Sequence, residues 1–283
     1  FATGEWCTGI RAAAVPRPDI PVDQSSPAAA LRTFLRAANE IGPGTMDLLG
    51  TAASVIEPDN GQHTGIDRLD HARLLFEVLD RLTFRLWELP RRVEGEQLSV
   101  RLEQAGTDVS FTLDLRRIGE AWFLAPPPAE ELRAKRAELF AARGLTVGAA
   151  LDSRLLRSPR DTFKVFILGM SEGDEVAENV AYSTLNTSVL SDVVQHREAP
   201  LLARYLKQVM DRIDYVMWQE IPDDPDSRRP YVYFQHPEGD IVVKPFETDD
   251  GVIWQFTPET LDNIRAVYAA MDDMPLPPAL AAT

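Results

Sequence analysis

The chain has 283 residues, with 29 Lys or Arg against 44 Asp or Glu, a formal net charge of −15. That balance disfavours a bare nucleic-acid binder, because such binding rests on cationic side chains meeting phosphate. With 45% hydrophobic and 26% charged residues, and no apolar run near the roughly 20 residues that span a bilayer, the composition is that of a soluble globular chain of one large or two small domains.

Residues 1–25 read as an N-terminal extension. The chain opens at Phe1 without a methionine, which leads us to expect that something upstream was removed. A single cysteine, Cys7, leaves no internal disulfide framework and no multi-cysteine metal site, and its surroundings do not read as a lipidation signal. The four histidines, His63, His71, His196 and His236, are scattered.

A first unit is predicted over residues 26–141. Ser26-Pro27 reads as a helix cap followed by proline at the first helical position. Leu31, Phe34, Leu35 and Ala38 then share a face, and Gly42-Pro43-Gly44 ends the helix. A longer amphipathic helix is expected over 67–89, with Leu75, Val78, Leu79 and Leu82 inward and Pro90 stopping it. The period then changes to alternation: strands at 98–102 and 109–115 joined through Gly106, and a third at 120–124 carrying Trp122. A linker follows at 142–157, too apolar for a floppy tether.

The second unit, 158–274, repeats the first. Ser158, Phe166, Gly251, Trp254, Pro258 and Ile264 stand 132 residues after Ser26, Phe34, Gly119, Trp122, Pro126 and Leu132. Met210-Asp211-Arg212-Ile213 and Trp218 follow Leu79-Asp80-Arg81-Leu82 and Trp87 at 131. Pro, Trp and Gly matching at one near-constant offset point to duplication. A long helix over 198–220 stopped by Pro222, strands at 231–234, 241–243 and 251–256, and a closing helix capped by Thr257-Pro258-Glu259 complete this copy. The fold class is therefore α+β: two tandem copies of a helix–helix–antiparallel sheet–helix unit. Residues 1–157 carry a net −3 and residues 158–283 a net −12, so the second copy is the acidic one. Residues 275–283 form a short Pro-rich, apolar ending.

No Walker loop, GxGxxG, HExxH, GxSxG or EF-hand loop is present. Asp223-Asp224-Pro225-Asp226 lacks the central glycine and closing glutamate of a calcium loop and is expected to be a solvated turn. Asp249-Asp250-Gly251 reads as a hairpin turn. Asp80-Arg81 and Asp211-Arg212 recur on the long helices. A carboxylate there could serve as a general base in a cone-shaped α+β pocket, or it could pair with a neighbouring turn or across the repeat interface; the absence of a repeated His or Tyr beside it favours pairing. His71 and His196, at non-equivalent positions, are expected at the surface or a boundary. The pairs Trp87/Trp218 and Trp122/Trp254 are expected in the cores in preference to an aromatic ligand slot. No residue is assigned a catalytic, cofactor-binding or metal role.

The second copy resembles the module that precedes the membrane spans in many bacterial members of the MscS-like (small-conductance mechanosensitive) ion-channel family. Ser158-Pro159-Arg160-Asp161-Thr162-Phe163, the helix ending Met210-Asp211-Arg212-Ile213, the run Gly251-Val252-Ile253-Trp254-Gln255-Phe256-Thr257-Pro258-Glu259-Thr260-Leu261 with Ile264, and the final Pro-Leu-Pro-Pro carry the likeness. The resemblance implies a non-catalytic ectodomain on the periplasmic face of the inner membrane, with a homo-oligomer formed through channel subunits, a possible envelope partner and no cofactor. It places membrane contact in segments outside this chain, with the first span beginning after Thr283. The alternatives are a small-molecule-binding or isomerase-type enzyme of the cone-shaped class and a free periplasmic binding module.

Overall fold

The structure, a computed structural model, describes residues 20–42, 45–58, 65–90, 92–147, 156–171, 175–249, 251–272 and 274. Cys7, Pro43, Gly44, His63, the linker stretch 148–155, Gly173, Asp250 and the Pro-rich 275–283 lie outside the described residues.

Two series of elements follow one another in the same order. The first is α1 (Pro27–Asn39), α2 (Leu48–Ser54), α3 (Gly65–Leu79), a 3₁₀ turn (Leu86–Glu88), β1 (Gln97–Glu103), β2 (Ser110–Ile118), β3 (Ala121–Ala125) and α4 (Ala129–Ala141). The second is α5 (Pro159–Ser171), α6 (Glu175–Tyr182), α7 (Asp192–Ile213), a 3₁₀ turn (Trp218–Glu220), β4 (Tyr231–Phe234), β5 (Ile241–Thr248), β6 (Gly251–Phe256) and α8 (Pro258–Met271). Each sheet is a three-stranded antiparallel meander, β1-β2-β3 and β4-β5-β6.

The correspondence extends to single hydrogen bonds. Trp122 N donates to Gln24 O at 2.9 Å, and Trp254 N to Leu156 O at 2.7 Å, again 132 residues on. In both units the end of the second helix makes a parallel bridge to the third strand, Ile56 to Leu124 and Leu185 to Phe256. The caps act as the sequence predicts: Ser26 Oγ accepts from Ala29 N at 3.2 Å and Ser158 Oγ from Asp161 N at 3.2 Å, each satisfying an amide that the first helical turn leaves open. Thr257 caps α8 by accepting from Thr260 N. Pro245 is tolerated in the central strand because β4 ends at the Tyr231–Val243 pair, short of it.

Each unit has its own core, the first also taking in Met217 from the second. Phe34, Trp122, Phe166 and Trp254 are buried in them. In the second, Phe163 and Phe166 meet the Phe256 ring tilted and edge-on, at centroid distances of 5.0 and 5.2 Å. Trp254 is wholly buried, yet its indole N–H has no acceptor among the described residues, so volume is what that position requires.

Three expectations are corrected. The long helices end at Leu79 and Ile213, well before Pro90 and Pro222: Thr83 N leaves the helix for Glu103 O on β1, and Asp214 is fully extended with its carboxylate accepting from Tyr215 N. Short second helices, α2 and α6, occupy stretches read as connections; Gly169 lets α5 and α6 approach so closely that a Cβ there would lie 2.5 Å from Ala177 O. Trp87 is 60% exposed, against 9% for Trp218. Leu86 turns inward in its place, leaving the ring under Arg85 on the surface.

Candidate functional site

The units meet along a seam built from polar groups, and Arg160 is at its centre. This residue lies in the first turn of α5, 2% exposed. Its Nε donates to Ile221 O at 2.9 Å, while Nη1 and Nη2 reach across to Asp80 O and Leu82 O, with Thr83 Oγ1 at 3.1 Å. The carbonyls it takes are those freed where α3 ends, the groups a helix C-terminus leaves unpaired. Gln219, fully buried, exchanges hydrogen bonds with Asn39 at 3.1 and 3.2 Å and donates to Asp80 Oδ1 at 3.2 Å. Lys164 Nζ completes the environment of Asp80 at 3.3 Å.

A second set of contacts lies either side. Phe84 N donates to Gln219 O and Leu86 N to Glu220 Oε1, both at 2.9 Å; burial pushes the Glu220 carboxyl upward against that hydrogen bond. Tyr215 donates to Glu40 at 2.7 Å, burial raising its phenol well above the usual range, and Met217 packs into the first unit's core. Arg143, just past α4, donates to Ala105 O and Asp223 O and pairs with Asp224 at 3.6 Å.

Between these contacts is a cavity of about 250 Å³, bordered by the ends of α3 and α4, the start of α5 and the segment 223–225. Five cations line it: Arg81, Arg143, Arg157, Arg160 and Lys164. Asp80, Asp161 and Asp223 face them. Burial, and next the charge of Asp223, push the Asp161 carboxyl up to about 6, although Asp161 Oδ2 accepts from Arg157 N at 3.2 Å while Asp161 N donates to the Ser158 cap. For Asp223 burial also pushes upward, but the Arg160 guanidinium and the Ser158 hydroxyl outweigh it and hold the carboxyl below its ordinary value.

The acidic run 223–226 is thus only partly a solvated turn: Asp226 is exposed in a turn, and Asp223 and Asp224 are not. Asp223 and Asp224 are drawn into the seam because Ser158, Arg160 and Arg143 supply the counter-charge and donors that water would otherwise give. No group of three or more metal-capable side chains occurs among the described residues.

Of the residues singled out from sequence, Asp80 pairs across the seam, and Asp211 does not reach it. Asp211 pairs with Lys207 one turn back on α7 at 2.7 Å, and Arg212 ties α7 to α8 through Asp272 at 3.1 Å. His71 Nε2 lies 2.9 Å from Pro127 O, His236 Nδ1 accepts from Glu238 N, and His196 borders a surface groove beside α7. Sequence reasoning missed Arg160, Gln219 and Arg143. For the first two the signal was difference between the copies: Arg160 stands where the first unit has Ala28, and Gln219, in the middle of its 3₁₀ turn, where the first unit has Trp87.

No family model matches the chain, and neither a curated protein nor a solved structure matches it.

Proposed function

We propose that this chain is a non-catalytic interaction module: the periplasmic ectodomain of an MscS-like channel, meeting other subunits and envelope components and modulating assembly or gating. The observation that carries the interaction reading is the apolar surface of the second unit's helices. Leu168, Val176, Val189, Val193, Val194 and Leu201 are all exposed, Val193 by 83%, on a unit whose core is already filled. Large apolar side chains left exposed on a charged domain are the groups that a partner's surface would cover. Other copies of the chain are the assigned partners.

The channel reading is supported by the run 251–261, used as β6 leading directly into α8 under the Thr257 cap. Among the described residues no helix is long and apolar enough to cross a membrane, and the reading assigns attachment to segments outside this chain. Patch-clamp recording of the complete gene product in giant vesicles tests it. Tension-activated currents whose threshold moves when residues 1–283 are deleted support it. A product with no hydrophobic stretch of about 20 residues after Thr283, or one that passes no current, overturns it.

A second reading, a small-molecule-binding or isomerase-type protein, is favoured by one observation: Asp161, with its raised pKa of about 6, borders the seam cavity, as a general base would. The cone interior of each unit, where that class places its pocket, is filled by the core side chains.

A further inference from the structure

Two guanidinium groups border the seam cavity with no carboxylate at ion-pair distance among the described residues, Arg81 acting on Asp223 and Arg157 on Asp161 only through space. Arg81 lies over the Phe140 ring at 4.8 Å and makes no ion pair there. Its repeat counterpart Arg212 has the same kind of aromatic support, Tyr268 at 5.2 Å, but reaches Asp272 as well. The position matching Asp272 in the first unit is Phe140 itself. The duplication therefore supplies its own control: one copy keeps the arginine's anionic partner, and the other replaces that partner with a ring and opens a cavity beside it.

Arg157 is the second such group. It engages Asp161 through its backbone amide at 3.2 Å, and its side-chain donors have no hydrogen-bond partner among the described residues. The other cations are committed: Lys164 to Asp80, Arg143 to Asp224 and two carbonyls, Arg160 to three carbonyls and a hydroxyl with Asp223 as counter-charge. Even counting Asp224, the site holds an excess of positive charge in a chain whose net charge is −15. Two of its walls are buried side chains held by backbone carbonyls, Arg160 on Ile221 O and Gln104 on Leu139 O, so the cavity is preformed.

We infer that the seam cavity is a binding site for a small oxyanion, a phosphate or a short carboxylate, held by Arg81 and Arg157. A planar guanidinium presents paired N–H donors that match two oxygens of such a group. The volume of about 250 Å³ is below that of drug-sized pockets and suits an anion of a few heavy atoms. Because Arg81 belongs to the first unit and Arg157 to the approach to the second, the bound anion bridges them and stabilises their docking.

The test is isothermal titration calorimetry and thermal unfolding of the whole chain with inorganic phosphate and, separately, succinate, each against sodium chloride at matched ionic strength. We expect saturable binding of at least one anion and a rise in melting temperature that chloride does not reproduce. Arg157→Gln should weaken that binding at least tenfold and leave circular dichroism unchanged, with only a small loss in the anion-free melt from the charge it places near Asp161, since the residue's structural bond is from its backbone. Arg81→Gln should do the same, with a small loss of stability from Phe140. Phosphate alone binding assigns a phosphate-type ligand, and succinate alone a carboxylate. No binding of either anion up to about 10 mM, beyond the millimolar range of weak specific sites, overturns the proposal. So does binding that both arginine variants retain.

Discussion

Replacing Arg160 with methionine keeps an unbranched apolar stem and removes all four of its hydrogen bonds at once. Hydrogen bonds from a charged donor contribute about 1.5–3 kcal/mol each, but four made by one rigid group are not additive. The groups left behind set the upper bound: the carbonyls of Asp80, Leu82 and Ile221 stay buried without donors, and Asp223 loses its main counter-charge. Breaking one side of a buried ionic arrangement costs about 3–5 kcal/mol, and we take roughly 4 kcal/mol for Arg160→Met on that basis. For a chain of this size that corresponds to a fall in melting temperature of roughly 7–10 °C if it unfolds as one body. Urea unfolding followed by tryptophan fluorescence and circular dichroism is the assay, because a weakened seam should also split one transition into two, each with a smaller dependence on denaturant. Arg160→Lys should recover little, since an ammonium cannot reach carbonyls of both units. A loss under about 1 kcal/mol with a single unchanged transition would show that apolar contacts, and not Arg160, hold the seam together.

Trp254→Ala should cost about 3–5 kcal/mol through lost burial and the cavity left behind, whereas Trp87→Ala should change stability by less than about 0.5 kcal/mol, both read by chemical denaturation. Asp161→Asn should stabilise the protein at pH 8 and make no difference below pH 4. The carboxyl is raised from 3.8 to about 6 by folding, so its ionisation opposes the native state above about 6 and that opposition disappears as pH falls through 3.8. Melting curves of both proteins across that range check the sign, and an advantage that grows on acidification would refute it. Gly106→Ala should cost more than Gly119→Ala, by on the order of 1–3 kcal/mol in urea unfolding. Both glycines have positive φ, +69° and +63°, but a Cβ at Gly106 would lie 2.4 Å from Asp224 across the seam while one at Gly119 meets nothing within 4 Å.

What the sequence made legible was what both copies share. Ser26 and Ser158, Phe34 and Phe166, Trp122 and Trp254 do the same work twice, and the paired β-strands and the caps arise from alternation and helix-end chemistry alone. The seam was hidden for the opposite reason. Its central residues, Arg160 and Gln219, sit at positions where the copies differ, so aligning one unit on the other makes Arg160 look like noise beside Ala28. Asp80 and Asp211 show the limit most directly: identical local patterns end in a cross-unit contact in one case and a local i,i+4 ion pair in the other, and only docking decides between them. The short helix α6 was hard to see, because its buried residue is the small Ala181 while Val176 is exposed, and eight residues give little periodicity to read.

Met217 lies among the core side chains of the first unit, and Arg160 satisfies carbonyls at the end of α3. On the ribosome, these contributions arrive late. The chain must grow about 80 residues past Ala141, through Ile221, before the N-terminal unit has every group that completes it, a delay of roughly 4–16 s at ~5–20 residues per second. During that interval its nascent core is short of one methionine and the helix end at Asp80 to Thr83 is open to water. A pause in translation within that stretch would prolong exposure of this surface to chaperones, so synonymous codon usage between 142 and 221 becomes a determinant of yield in a protein whose halves otherwise look self-sufficient.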